Sequence, residues 1–312
     1  MRIRILTKKR VIICAILVLS LVFLSRIASP EETENFEPRL SIKLSGGLSY
    51  MLGGGINTHL KSYDDYLSAM TDYEGDKIRR LQYIPEFEGE LRWDITSKFA
   101  VSVGIGYISG KNKSYLEYEG PFPFQTSSNP TQQYFLKPEA KTVPLKLGIY
   151  YTLSLSPGIN LFLNSGFGYY FSKCSLYKKH ISSSWSIFQI YYTKEEQYDV
   201  RADSLGFNGG IGFEYDIANN LVIVLEIQGR YAKAKNLKGN KLFSVWDVSY
   251  MEEEGTLYIG ERDMTDEGYG KYCPDLMISQ STPSGDEYRN IREAVLDFSG
   301  FSLRVGIRIK LF

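Results

Sequence analysis

The sequence predicts an all-β fold: a closed antiparallel transmembrane β-barrel of eight strands. Eight stretches beyond Arg39 alternate apolar with polar or small residues, which is the period of a strand whose two faces meet different surroundings. The connections between these stretches alternate strictly between short turns and long segments, as they do in barrels that span a membrane. The chain also has 24 Tyr and 17 Phe beside only 2 His, so it is rich in strand formers and poor in the commonest catalytic side chain.

The first four predicted strands each set an apolar face against a polar or small one. The first, about 39–50, alternates leucine and isoleucine with serine and lysine. The second, about 81–93, sets phenylalanine, leucine and tryptophan against three glutamates and an arginine. The third, 99–107, opposes valine and isoleucine to serine and glycine, and the fourth, 143–153, opposes leucine and isoleucine to lysine, glycine and threonine.

The last four predicted strands repeat the scheme. The fifth, 160–171, sets leucine and aromatic residues against asparagine and glycine, and the sixth, 205–215, adds a glutamate to the glycine face. The seventh, 221–231, opposes isoleucine and leucine to glutamate, glutamine and arginine. The eighth, 301–311, closes the barrel with an apolar face against serine, arginine and lysine.

The connections indicate how the strands cross the membrane. Turn residues fill the short ones, which are 94–98, 154–158 and 216–220. The long connections are rich in charge and tyrosine, and they cover 51–80, 108–141, 173–203 and 232–296. Loops of this length are improbable in a compact soluble domain, whereas transmembrane barrels have short periplasmic turns and long extracellular loops.

Two features inside the long loops bear on the strand count. Residues 241–250 and 255–262 have the pattern of a hairpin, and a barrel of ten strands results if both pieces cross the membrane. The second piece is short and weakly apolar, so we favour eight strands with the hairpin outside. Four residues with helical spacing predict a short surface helix in the first loop: Tyr63, Tyr66, Leu67 and Met70.

The N-terminus predicts export. Residues 1–10 are basic and residues 11–24 form an uninterrupted apolar run, the pattern of a secretory signal that we assign to residues 1–29. The alternative is an uncleaved anchor, although the run is short for a span. Residues 30–38 then form a short periplasmic segment and residues 39–312 the barrel domain.

The net charge argues against a nucleic-acid partner. The 36 basic and 36 acidic residues balance, but the predicted signal takes six basic residues and no acidic one, which leaves 30 against 36 and a net charge of −6. Phosphate binding needs a basic surface. The apolar content of 43% and charged content of 23% indicate a folded protein.

The apolar faces are predicted to meet lipid and the polar faces a narrow lumen. Five or six bulky side chains per strand exceed what the interior of about eight strands can hold, whereas glycine, serine and asparagine suit it. A soluble lipocalin-like lipid carrier, with its apolar side chains inside, is an alternative. The polar faces carry both signs, and charges in a lumen need partners. The predicted lumen charge network consists of Glu86, Glu88, Glu90, Arg92, Lys146, Glu214, Glu226, Arg230, Arg304 and Arg308.

Together with the segment VPLKLGIYY at 143–151 and a final strand that ends at Phe312, this pattern resembles the small outer-membrane β-barrel families of the OmpA-transmembrane and OmpX-like type, often labelled porin-family proteins. The resemblance covers about 39–312. It implies the outer membrane of a Gram-negative-type bacterium, contact with its lipids and lipopolysaccharide, and insertion by the outer-membrane assembly machinery. The implied C-terminal insertion signal comprises Phe301, Leu303, Val305, Ile307, Ile309, Leu311 and Phe312. Phe312 departs from the family pattern because it is out of phase with the apolar residues before it.

The sequence offers little chemistry, so we expect no enzyme, no cofactor and no metal site. Both histidines, His59 and His180, fall in long loops. Ser182–Ser184 follow His180, which leaves a rim-site lipid hydrolase as a minor alternative. We expect a structural, adhesive or ligand-contacting protein that presents long loops above a lumen filled by side chains, and a small diffusion porin is the main alternative.

Two cysteines remain after the predicted signal is removed. Cys174 and Cys273 both fall on the predicted extracellular side, in a compartment that permits disulfides. A bridge is possible if the last long loop folds across the barrel mouth, and two unpaired thiols are the alternative.

Overall fold

The computed structural model describes residues 38–70, 77–119, 131–183, 191–245, 248–263 and 272–311. The predicted signal, residues 30–37 of the predicted periplasmic segment and Phe312 lie outside the described residues. Within these ranges, no helix is long and apolar enough to cross a membrane.

The described chain consists of fourteen strands and one helix. In chain order these are β1 (Arg39–Met51), α1 (Gly54–Met70), β2 (Tyr83–Asp94), β3 (Phe99–Lys111), β4 (Ser114–Glu119), β5 (Thr131–Ser156), β6 (Ile159–Ser183), β7 (Tyr191–Ala218), β8 (Leu221–Ala234), β9 (Lys238–Val245), β10 (Val248–Asp263), β11 (Tyr272–Ser279), β12 (Tyr288–Glu293), β13 (Leu296–Asp297) and β14 (Gly300–Lys310).

Eight of these strands close a ring. Each strand of the series β1, β2, β3, β5, β6, β7, β8 and β14 pairs antiparallel with the next, and β14 pairs back with β1, where Leu48 lies opposite Leu303. Every strand of the ring is therefore paired on both sides. These are the eight strands that the sequence predicts. The pieces of the predicted extra hairpin, in β9 and β10, pair outside the ring.

The faces of the ring alternate as the period of a strand requires. Large apolar side chains point outwards, including Leu147 with 65% and Phe87 with 61% of their surface exposed. The alternate positions point inwards and bury charged and polar residues such as Glu88 and Arg304. We call the belt of exposed apolar side chains around the ring the apolar band.

Three strands of the ring extend far beyond the apolar band, where the sequence predicts loops. β5, β6 and β7 have 26, 25 and 28 residues. Except for the first, which contains α1, the long connections are thus largely strands where the structure describes them, and this corrects the prediction. β4 pairs with the end of β5, β9 pairs with β7, and β10, β11 and β12 extend the sheet further. We call these added strands, the extensions of β5–β7 and α1 the upper layer.

The upper layer has its own apolar core, which α1 completes. Ile56, Leu60 and Leu67 on α1 are buried in one cluster with side chains of the strand extensions and of the loop before β14. Two glycines with left-handed backbone, Gly53 (φ 72) and Gly54 (φ 60), turn the chain from β1 into α1. The predicted helix is present but begins earlier, at Gly54, and it packs into this core, whereas the sequence predicts a surface helix.

An asparagine ties α1 to the chain that leads into β2. Asn57 donates through Nδ2 to the carbonyl of Leu81 (2.7 Å) and accepts from the Leu81 amide (2.9 Å). The helix is therefore anchored by hydrogen bonds as well as by apolar packing.

Candidate functional site

The ring interior brings the predicted lumen charge residues together. The residues assigned to it, Glu86, Glu88, Glu90, Arg92, Lys146, Glu214, Glu226, Arg230, Arg304 and Arg308, are all buried. They come from β2, β5, β7, β8 and β14. Arg304 and Glu226 lie directly opposite each other on paired strands, whereas most of the other contacts join strands that do not pair and that face each other across the interior of the ring.

Arg304 is the centre of this cluster. Its guanidinium lies 2.7 Å from Glu88 Oε2, 2.7 Å from Glu226 Oε1 and 3.6 Å from Glu86 Oε1. Glu88 also pairs with Lys146, whose Nζ donates to Gln228 Oε1 at 3.1 Å. One guanidinium thus bridges carboxylates from two separate strands.

Lys43 and Tyr150 form a second set of contacts beside Arg304. Lys43 Nζ lies 3.2 Å from Glu90 and 3.4 Å from Glu226, and it donates to the Tyr150 hydroxyl at 2.7 Å. The Tyr150 hydroxyl lies 2.9 Å from both Glu90 oxygens and donates to that carboxylate. The sequence places Lys43 on the polar face of the first strand, among the charges expected in the lumen, although the predicted network leaves it out. Tyr150 was missed, and the signal that could have found it is the inward phase of its strand.

The ion pairs continue towards the short turns. Glu214 accepts from Arg92 at 2.9 Å and from Arg308 at 2.5 Å. Asp94 lies 2.8 Å from Arg92 and 3.5 Å from Arg308. The sequence places Asp94 in a turn, so its part in this network is a further finding.

Arg230 carries the cluster towards the upper layer. It pairs with Glu86 at 2.9 Å and donates to the carbonyl of Phe298 and to Ser49 Oγ. The cluster then contains six cations and six carboxylates, which balance. They are Lys43, Arg92, Lys146, Arg230, Arg304 and Arg308 with Glu86, Glu88, Glu90, Asp94, Glu214 and Glu226.

The two histidines lie apart from this cluster, in the upper layer. His180 Nε2 donates to Gln132 Oε1 at 2.6 Å, and its ring stacks on Tyr134 with centroids 4.2 Å apart. Burial, and then the charge of Lys194, lowers the pKa of His180 to about 4. Ser182 Oγ accepts from the amide nitrogen of Gln132, so Gln132 rather than His180 is the partner of this serine.

His59 is buried on α1. Its ring is stacked against Tyr63, with centroids 6.0 Å apart, and neither ring nitrogen has a hydrogen-bond partner among the described residues. Burial, and then the charge of Lys178, lowers the pKa of His59 well below its usual range. In the part of the chain that the structure describes, no three His, Cys, Asp or Glu side chains are arranged to hold a metal ion.

The two cysteines are free thiols in the structure. Cys174 on β6 is buried in the apolar core of the upper layer, and Cys273 on β11 lies with its Sγ 3.7 Å from the carbonyl of Pro274. The bridge considered from the sequence is therefore not formed in the structure.

The predicted C-terminal insertion signal lies on the outer face of β14 and the residue after it. Its described members, Phe301, Leu303, Val305, Ile307, Ile309 and Leu311, are all exposed. Phe312 lies outside the described residues, so the structure does not address the phase of the terminal aromatic.

Comparison with known proteins identifies the family. The sequence profile of the outer membrane protein β-barrel domain matches residues 17–245, more than half of the chain. The chain belongs to this family. The eight-stranded ring is therefore a β-barrel of the outer membrane, with transmembrane strands whose apolar band faces lipid. This excludes the soluble lipid carrier.

Several solved structures are similar to the barrel. Neisserial surface protein A is 8% identical with a TM-score of 0.34, and a major outer membrane protein from Thermus thermophilus is 12% identical with a TM-score of 0.36. Ail, the attachment invasion locus protein of Yersinia pestis, is 11% identical with a TM-score of 0.33. Each alignment covers 88% of this chain and 100% of the other. No curated protein matches the chain significantly.

Proposed function

We propose that the barrel anchors a folded surface layer that contacts a ligand outside the cell, and that its interior is closed to solutes. The continuation of β5, β6 and β7 beyond the apolar band carries this proposal. In barrels of this type the short turns face the periplasm, so the upper layer faces outwards. The residues of β6 from Lys173 to Ser183 rise above the band by up to about 35 Å.

A fixed shape supports ligand contact. α1 fills the space between the strand extensions with Ile56, Leu60 and Leu67, so the layer has a core of its own. A surface that is ordered before binding loses less conformational entropy when it binds than a set of mobile loops. The protein therefore presents a preformed sheet rather than the four separate loops that the sequence suggests.

The ion pairs inside the barrel argue against the alternative of a diffusion porin. Arg304 bridges carboxylates of two strands, and Lys43 and Tyr150 link β1 to β5 across the interior. A small barrel whose inward side chains fill it leaves no water channel. The contacts of His180 likewise give no support to a hydrolase, because its ring bonds to an amide.

Surface display tests the role of the upper layer. Bacterial cells that display the full chain should adhere to epithelial cells or extracellular-matrix proteins, and cells that display a variant with residues 238–293 replaced by a short linker should not. The linker joins β8 to β14, so the ring can still close. A difference in gel mobility between unboiled and boiled samples verifies that the barrel of the variant is folded. The same linker inserted at 154–158, on the opposite end of the barrel, is the control. Equal adhesion of the full chain and the shortened variant contradicts the proposal.

Conductance tests the closed interior. The full chain in planar lipid bilayers should give no stepwise channel openings under conditions in which a general porin does. Regular openings of the unmodified protein would favour the porin instead.

A further inference from the structure

The outer wall of the upper layer carries a row of four basic side chains on four adjacent strands. Lys141 on β5 lies opposite Lys173 on β6, Lys173 lies opposite Arg201 on β7, and Arg201 lies opposite Lys238 on β9. Residues directly opposite each other in a sheet point to the same side. We call these four residues the basic row.

Such an arrangement opposes folding. Like charges directly opposite on neighbouring strands repel each other and destabilise a sheet. Two acidic residues offset part of the repulsion. Glu139 lies two residues from Lys141 on β5 and pairs with it, and Asp199 lies two residues from Arg201 on β7, 3.0 Å from Lys173. Arg201 and Lys238 have no ion-pair partner among the described residues, and both are exposed. The basic row therefore keeps an excess of positive charge.

The position of the basic row fits a lipid headgroup. Lys173 follows Phe171, a half-exposed residue of the apolar band, at a distance of two residues along β6, which is about 7 Å. Val143 lies opposite Phe171 on β5, and Lys141 precedes it by two residues. The row thus lies just above the acyl chains, at the level of the phosphate groups of the outer leaflet.

A cavity beside the basic row adds further donors. It has a volume of about 330 Å³, and its charged lining consists of four lysines and two carboxylates that pair with them, so the lysines remain in excess. These residues are Lys111, Lys137, Lys141 and Lys173 with Glu139 and Asp199. The Tyr177 side chain also lines it. This volume lies in the range of pockets for small ligands and suits one phosphorylated sugar.

We propose that the basic row binds the phosphate groups of an outer-leaflet glycolipid, the phosphorylated glucosamine headgroup of lipopolysaccharide. Ammonium and guanidinium groups bind phosphate through charge-assisted hydrogen bonds. The acyl chains of the glycolipid then lie along Phe171 and Tyr169. This proposal rests on the outward orientation of the upper layer given under the proposed function, and it is independent of any ligand at the top of that layer.

The test measures binding of fluorescent bisphosphorylated lipid A to the full-length protein in detergent. A variant with K141Q, K173Q, R201Q and K238Q should bind at least about tenfold more weakly, since basic residues at a membrane surface attract anionic lipid headgroups. A control variant with K77Q, K98Q, K235Q and R292Q removes the same number of exposed charges elsewhere and should bind as the unmodified protein does. Equal binding by the basic-row variant and the unmodified protein overturns the proposal.

Two further measurements separate the possible sources of the phosphate. The unmodified protein should bind bisphosphorylated lipid A more tightly than dephosphorylated lipid A, and inorganic phosphate alone should bind far more weakly than either. Equal affinity for the two lipids shows that phosphate is not recognised and overturns the proposal. Inorganic phosphate or a sulfated polysaccharide that binds as tightly as the phosphorylated lipid also overturns it, in favour of a soluble anion.

A smaller variant covers the case in which the quadruple variant does not fold. The double variant R201Q with K238Q removes only charges that lack an ion-pair partner among the described residues. It should therefore fold at least as stably as the unmodified protein in lipid-free detergent. It should still bind lipid A several-fold more weakly. If cells that display the full chain do not adhere while the full-length protein still binds lipid A, the proposed function is refuted and this inference stays intact.

Discussion

Arg304 and Glu226 lie directly opposite each other on β14 and β8 and form an ion pair in which both side chains are buried. The distance between Arg304 Nη2 and Glu226 Oε1 is 2.7 Å. Burial removes the hydration of both groups, so each depends on the other for compensation. Glu88 and Glu86 share the same guanidinium. Arg304 therefore holds together carboxylates that would otherwise repel one another.

We predict that Arg304→Gln lowers the free energy of unfolding by about 3–5 kcal/mol, because it leaves uncompensated carboxylates in the barrel interior. Adding Glu226→Gln to this variant should recover part of the loss. The measurement is denaturant unfolding in detergent micelles, followed by the change in gel mobility. Lys98→Gln, in an exposed turn, is the control. A loss no larger in Arg304→Gln than in the control would show that the pairs contribute nothing.

A second prediction concerns the apolar band. Leu147→Arg should destabilise the barrel in lipid by about 2–4 kcal/mol, because the substitution places a charge in the hydrocarbon region. Ile95→Arg, in the turn between β2 and β3, should change stability by less than about 1 kcal/mol. Unfolding from lipid vesicles measures both, and equal tolerance of arginine at the two positions would show that the outer face does not meet lipid.

Much of the ring could be predicted from the sequence because the strand period has a simple cause. In the membrane every outward residue meets hydrocarbon, so apolar residues such as Leu145 and Leu147 keep one phase. The same alternation places Glu88 and Arg304 inside. Which partners meet across the interior depends on how the ring closes, and sequence alone does not give that register. Lys43 and Glu226, on strands that do not pair, illustrate this.

The extensions of β5–β7 escaped prediction because the alternation changes phase at the edge of the membrane. Up to Phe171, the odd-numbered residues of β6 face lipid, and all of them except Ser165 are apolar. Beyond it, the even-numbered Cys174 and Leu176 are apolar and buried, whereas Lys173 and Ser175 point outwards. The outer surroundings have become water there, so the apolar face turns inwards. A search for strands whose apolar residues keep one constant phase therefore interprets this stretch as a loop.

A third prediction tests α1 as part of the core. Leu60→Ala should destabilise the upper layer by about 2–5 kcal/mol, since it removes a fully buried leucine. Lys61→Ala changes the neighbouring residue, whose side chain is 58% exposed, and should have little effect. Limited proteolysis of the native protein should cut the upper layer faster in Leu60→Ala and leave the barrel intact. Cleavage at the same rate in both variants would mean that α1 does not stabilise the layer.

A fourth prediction concerns acid. The pKa of His180 is lowered to about 4 in the folded protein by burial and by Lys194, whereas the unfolded chain takes up this proton near pH 6.5. The unfolded state therefore binds more protons between these two values. Stability should fall as the pH drops from about 6.5 to about 4 and then level off. We expect the loss to be roughly 2 kcal/mol, which is less than a fully buried ring would give, because this ring is partly exposed.

His59 should add to this loss in the same direction, because its pKa is also lowered. Hydrogen exchange of the upper-layer amides, corrected for the intrinsic effect of pH, measures the change. His180→Gln, which removes the titrating ring, should flatten the profile. An upper layer that is equally protected at pH 7 and pH 4.5 would contradict the prediction.

The last prediction concerns the two thiols. Burial, and then the charges of Asp199 and Glu139, raises the pKa of Cys174 to about 12, and burial together with Asp275 raises the pKa of Cys273 to about 12. Only the thiolate reacts with alkylating agents, so both residues should react at least about 100-fold more slowly than a free cysteine in the native protein at pH 8. After unfolding without reductant, mass spectrometry should find two alkylated cysteines, because the structure leaves both thiols free. A chain that gains two labels only after reduction would instead contain the bridge between β6 and β11, and the last long connection would then lie across the barrel mouth.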